Sequence, residues 1–331
     1  MISQVPAPSR FRLDGDRLVL PPGAFRLVLA AAVLMSHLSA IDVGRLAVLL
    51  FFYLSGYWTA LIWREKFGPG STLRFYAARF LRIFPLYLLT VLAAAVLRGM
   101  PLHVENLTLL GVAATHRDPT GVAWSLDVEL QFYVLLPFIA AAVASAPTWI
   151  SIALSLAVGA AGWWLNAHYG IATVAKYLPA FVLGTITFAK AWRPSARASG
   201  ISLLGFAAMT ALTGLTPFLS KRTPDPFDQD VWGLLWMLPL LPYVARSLTV
   251  RSSKLDRHFG NLSYPLYLVH FMIVTLALQH LGGAMWVKAL AALASCAVAV
   301  AIYVVVDRPV DRWRVRMTET PKTPAPQPSL S

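Results

Sequence analysis

Arg26 and His37 stand eleven residues apart in one apolar segment, 24–41. Ionisable side chains inside such a segment are rare, face the protein interior and by default mark a functional site. At 1.5 Å per residue, the two lie about 16 Å apart along a helix. A guanidinium grips phosphate through paired, charge-assisted hydrogen bonds, and an imidazole exchanges a proton near neutral pH. The pair fits an anionic donor held at one surface with proton transfer deeper inside. The plain alternatives are an Arg26 that snorkels to headgroups as a topology anchor and a His37 that packs as a hydrogen-bonded histidine.

Four further segments carry polar or ionisable side chains. Arg79 and Arg82, in ARFLRIFPLY, are one helical turn apart and share a face, as a second phosphate contact or as a positive anchor. In WSLDVELQFYVLLP, Glu129 lies about 8 Å along the helix from Trp124, a depth that approaches His37 from the other side. A carboxylate there can orient an imidazole or exchange a proton with a hydroxyl. Asp127 and Glu129 point to different faces, and Ser125 and Asp127 can instead cap the helix. In FFYLSGY, Ser55 and Gly56 read first as a small pair that lets helices pack closely. In GNLSYPLYLVH, Ser263, Tyr264 and His270 form a polar stripe, either lining a cavity or bonding helix to helix.

The elements that position these residues are membrane helices. The chain has 331 residues, 57% hydrophobic and only 13% charged, with a mean hydropathy of +0.63. That composition excludes an ordinary soluble domain. Apolar runs predict helices at 24–41, 45–63, 83–98, 124–145, 148–165, 176–191, 200–219, 231–247, 262–281 and 284–306. The fold class is all-α, a polytopic bundle of about ten transmembrane helices. Of the 28 Lys and Arg, 21 fall on one side of this topology. The positive-inside rule then puts both termini in the cytoplasm. The net charge of +13 lies between apolar runs, where it sets topology and draws lipid headgroups or an anionic substrate; nucleic acid is not an expected partner. The first twenty residues lack the apolar core of a signal peptide, and the N-terminus is expected to be retained. The single cysteine, Cys296, permits no disulfide framework and reads as a small packing residue. Predicted boundaries are an N-terminal segment over 1–23, a transmembrane domain over 24–312 and a disordered tail over 313–331.

In this order the motifs resemble the acyltransferase family 3 membrane proteins, which O-acylate bacterial cell-surface glycans and related acceptors. The family's arginine, ten intervening residues and histidine fall on Arg26 and His37, and its Arg-x-x-Arg element on Arg79 and Arg82. WSLDVELQFY is similar to its WSLSVEEQFY, FFYLSGY to its FFVLSGF, and GNLSYPLYLVH to its late Ser-Tyr-x-Leu-Tyr-x-x-His element. Four positions depart: Gly23 and Leu49 stand where an Asp is common, Leu130 replaces a second Glu, and Asp307-Arg308-Pro309 replaces Glu-x-Pro.

The resemblance implies an enzyme of the bacterial inner membrane, multi-pass, that moves an acyl group, acetyl above all, from cytoplasmic acyl-CoA to a carbohydrate hydroxyl. No metal is implied. His37 and Glu129 would be catalytic and Arg26, Arg79 and Arg82 would bind the donor, with Ser55, Trp124, Tyr133, Ser263, Tyr264 and His270 in support. Two rival readings stay open on sequence: a transporter or flippase with buried charges along its path, and an acyltransferase acting on a lipid or small molecule.

Overall fold

The computed structural model describes residues 19–214 and 229–318, and these are mostly helical. Fourteen α-helices occur among the described residues, with at least one at each of the ten apolar runs. They are α1 (Pro22–Leu38), α2 (Gly44–Ile62), α3 (Thr72–Arg98), the short α4 (Val104–Thr108) and α5 (Val112–Thr115), α6 (Trp124–Ser145), α7 (Thr148–Tyr169) and α8 (Val174–Ala189). There follow α9 (Ala196–Gly214), α10 (Gln229–Met237), α11 (Leu241–Ser247), α12 (Lys254–Leu281), α13 (Met285–Ile302) and α14 (Arg308–Thr318). Among the described residues, six helical stretches are long and apolar enough to cross a membrane, and α1, α8 and much of α9 are shorter apolar helices.

The differences from the sequence expectation have physical reasons. α3 starts at Thr72 rather than near 83, because Arg79 and Arg82 lower the local hydropathy while pointing inward. The run at 231–247 is broken by a 3₁₀ turn, Leu238–Leu240. Pro239 and Pro242 there cannot donate to a continuing helix. α14 continues past Trp313 to Thr318, although the sequence pointed to a disordered tail from 313; residues 319–331 lie outside the described ones. Cys296 is exposed on α13 rather than packed. α13 buries only one thin stripe, Val287, Ala291, Ser295 and Ala299, as a helix facing lipid requires.

Two close approaches fix the bundle. α1 packs along α12, and α2 along α8. Gly56 lies against the Phe181 backbone and Gly184 against that of Tyr53, so neither tolerates a side chain and the α2 and α8 backbones nearly touch. At α1, Gly23 lies against the backbone of Asp256, whose carboxylate accepts hydrogen bonds from Gly23 N (3.1 Å) and Ala24 N (2.7 Å). These are free amides of the helix N-terminus, where a negative charge is favourable. No side chain fits at position 23, and α12 supplies a carboxylate there.

The loop between α3 and α6 uses its polar groups to hold its own shape. Asp118 accepts from Ala123 N (2.6 Å) at the start of α6 and from Thr120 N (2.8 Å). Asp127 accepts from Ala113 N in α5 (2.9 Å) and from Gln131 Nε2 (2.9 Å), and Gln131 Oε1 in turn accepts from Val174 N (3.0 Å) at the start of α8. Asp127 is thus a structural tie on the face of α6 that turns away from Glu129.

Candidate active site

A cavity of about 460 Å³ lies among α1, α2, α3, α6, α12 and α14. One end is cationic. Arg26 comes from the second turn of α1, Arg79 and Arg82 from α3, Arg257 from α12 and Arg314 from α14. Arg82 pairs with Asp307 at 2.7 Å, and Arg314 with Asp311 at 2.8 Å. Among the described residues, neither Arg26 nor Arg79 forms an ion pair. Arg79 is buried, lies 6.0 Å from the centre of the Tyr133 ring, and its Nε has no hydrogen-bond partner. A buried, incompletely satisfied guanidinium is costly unless a ligand completes it.

Deeper in the cavity stands Glu129. Its Oε1 accepts from Ser55 Oγ (2.6 Å) and from Tyr133 OH (2.5 Å), one turn along α6. Both hydroxyls thus donate to the same carboxylate oxygen. Beyond it the wall is Ser125 and Tyr267, whose hydroxyls are 2.7 Å apart.

Eight of the eleven residues singled out by sequence therefore line one cavity: Arg26, Arg79, Arg82, Ser55, Glu129, Tyr133, Ser263 and Tyr264. Ser55 does more than make room, since Gly56 provides the close packing while the serine hydroxyl holds Glu129. Ser263 bonds within its own helix to Gly260 O (2.7 Å). Tyr264 ties α12 to α3 through Ile83 O (2.6 Å) and lies under the Arg82 guanidinium.

The other three lie elsewhere. Trp124 is packed against Phe52 and Tyr177, with the Arg45 guanidinium 4.8 Å from its ring centre. His37 is in the last turn of α1. Its ring is 4.7 Å from that of Phe271 and 5.2 Å from that of His270. His270 is fully buried. Its Nδ1 faces the carbonyls of Leu266 (3.1 Å) and Tyr267 (2.8 Å), which can only accept, so Nδ1 carries a hydrogen. Its Nε2 has no partner among the described residues. Tyr267 joins the two regions, lining the cavity while its ring lies 5.9 Å from that of His270.

Sequence reasoning missed Arg257, Arg314 and Tyr267. Arg257 precedes the apolar part of α12, and Arg314 follows that of α13. The available signal was the spacing Asp307, Asp311, Arg314, Thr318, one polar face of a helix. Of the departures from the family pattern, neither Leu49 nor Leu130 lines the cavity, and Asp307 is the partner of Arg82.

Residues 19–307 match the acyltransferase 3 family, described as an acyltransferase domain. The chain belongs to that family. It is 27% identical to acyltransferase MdmB of Streptomyces mycarofaciens over 86% of this chain and 85% of that protein. It is 26% identical to nodulation protein 10 of Rhizobium leguminosarum bv. viciae, over 82% and 83% respectively. No solved structure matches it. With its apolar helices, this acyltransferase 3 protein is a multi-pass membrane enzyme that transfers acyl groups other than amino-acyl groups.

Proposed function

We propose that this acyltransferase takes its acyl group from acyl-CoA, acetyl-CoA in the first place, and esterifies a carbohydrate hydroxyl on a surface glycan. The observation that carries the reading is the cavity itself, with arginines crowded at one end and a carboxylate holding two hydroxyls further in. In this reading the protein crosses the bacterial inner membrane about ten times with both termini and the arginine-rich end cytoplasmic. Arg26, Arg79 and Arg82, joined by Arg257 and Arg314, hold the donor's phosphates. The pantetheine arm carries the thioester inward, and the acceptor approaches from the His37 end.

The acceptor oxygen attacks the thioester carbonyl, its proton passes to a base, and the C–S bond breaks to release the CoA thiolate, which takes up a proton. His37 is assigned as that base. His270 beside it has its Nδ1 committed to backbone carbonyls, and Glu129 receives or relays the proton from within the cavity. Ser55 and Tyr133 keep Glu129 in place. A second reading rests on one observation: Glu129 lines the cavity and His37 does not, which favours Glu129 as the direct base.

The test is thiol release by the purified protein. Release that requires both acetyl-CoA and a glycan acceptor, with an ester removable by mild base on the product, supports the proposal. Movement of unmodified glycan across proteoliposomes without thiol release would refute it, as would esterification confined to lipid or small-molecule acceptors.

A further inference from the structure

A second cavity, of about 350 Å³, adjoins the arginine-rich end of the first. It is bounded by the first turns of α12, the π turn Tyr303–Asp307 and α14. Arg257, Asn261 and Asp311 line both cavities. The partition between them is made of the two ion pairs already described, Arg82 with Asp307 and Arg314 with Asp311. Both arginines line the first cavity and both carboxylates line the second.

Those carboxylates are neutralised by arginines that do not belong to the second cavity. Its own cations, Lys254, Arg257, Arg308 and Arg312, have no carboxylate partner among the described residues and leave it strongly positive. His258 adds a donor. Its Nδ1 is 2.6 Å from the hydroxyl of Tyr303, which leaves Nε2 for a ligand. Four cations and an imidazole around one small space match the charge and the several acceptor oxygens of a phosphomonoester.

We infer that this second cavity binds the terminal phosphomonoester of a nucleotide thioester donor, which straddles the partition with its acyl arm in the first cavity and its 3′-phosphate among Lys254, Arg308 and Arg312. The inference rests on the acyl-CoA reading above and extends it. A lipid headgroup offers the same phosphate chemistry at a membrane surface. The shared lining favours the nucleotide: Arg257 and Asn261 line both cavities, so a donor that spans them meets both residues, a coincidence that a headgroup site does not need.

The experiment measures KM for thiol release with acetyl-CoA and with its 3′-dephospho analogue, on the full-length protein in nanodiscs. The wild type is expected to show a KM about tenfold higher for the analogue, the worth of one charge-assisted hydrogen bond. In the double variant Lys254→Gln/Arg312→Gln the ratio of the two KM values should fall to about one. The ratio compares two donors on the same preparation, so any loss of folded protein cancels. Equal KM values in the wild type, or a ratio that survives in the variant, would overturn the inference. A parallel arm compares nanodiscs with and without phosphatidylglycerol; a variant whose one defect is a lost response to that lipid assigns the cavity to a headgroup and overturns the inference as well. If the wild type releases thiol from neither donor with any acceptor, the donor reading itself has failed and this inference falls with it.

Discussion

Replacing Gly23 by Ala should part α1 from α12 and disable the arginine-rich end of the cavity. A methyl there would run into the Asp256 carbonyl oxygen and would stand 2.7 Å from its carbonyl carbon and 2.9 Å from its Cγ. Non-bonded carbons rest about 3.5–4.0 Å apart, so the helices must separate by about 1 Å. The obstacle is backbone, which no rotamer change relieves. That movement would carry the Asp256 carboxylate, now 3.1 and 2.7 Å from Gly23 N and Ala24 N, to the limit of hydrogen bonding or past it. Overpacking costs about 1–3 kcal/mol and a lost bond to a charged acceptor about 1.5–3 kcal/mol, so with the longer of the two bonds lost a cost of about 2.5–6 kcal/mol is expected. Arg26 is the next residue of α1 to line the cavity and would be displaced with it. The assay is the midpoint of denaturant-induced unfolding in detergent, with acetyl-CoA KM measured on the surviving folded fraction. Asp256→Asn, which keeps the shape and removes the charge, should lose less than Gly23→Ala. A Gly23→Ala protein with the wild-type midpoint and KM would refute the reasoning.

Other outcomes follow from the same geometry. Glu129→Gln should lower acyl transfer by about 10²–10⁴ while the protein stays folded. His37→Ala should do the same if the imidazole is the base, and an unchanged rate of thiol release in His37→Ala would leave that role to Glu129. Asp307→Asn strands the Arg82 guanidinium and should cost about 2–4 kcal/mol, under the fully buried range because Arg82 keeps some exposure. The apolar pair Arg82→Met with Asp307→Leu should recover much of that stability in the same unfolding assay, though not donor binding. Asp127→Ala removes the tie to α5 and should cost about 1–2 kcal/mol. Limited proteolysis should then cut within 99–123, with a far smaller loss of turnover than in Glu129→Gln.

Much of this site was legible because charge is conspicuous in an apolar run. Arg26, Glu129 and the Arg79 and Arg82 pair stand out on hydropathy alone, and all four line the cavity. Helical spacing also sorted Asp127 from Glu129: from α6, the Asp127 carboxylate bonds to α5 while that of Glu129 faces the cavity. What spacing does not give is how far a cavity extends. Arg26 and His37 lie on nearly the same face of α1, eleven residues being about three turns, yet the cavity ends at the level of Tyr267 and Ser125. Arg257 and Arg314 escaped for the opposite reason. They belong to the polar ends of long helices, which hydropathy assigns to loops, and only tertiary packing turns those ends over the cavity. The α1 cap was equally hidden, because its carboxylate, Asp256, is 233 residues from Gly23 in the chain.

The most direct test of the central claim is to locate the acyl group. An acyl-CoA analogue with a photoreactive acyl chain, bound to the purified protein and irradiated, should label the cavity wall between Val48 and Ser55 on α2 or between Ser125 and Tyr133 on α6, and excess acetyl-CoA should suppress the label. Specific labelling that maps instead to the lipid-facing sides of α7 or α13, or that acetyl-CoA does not compete away, would contradict a cavity in which the thioester meets Glu129.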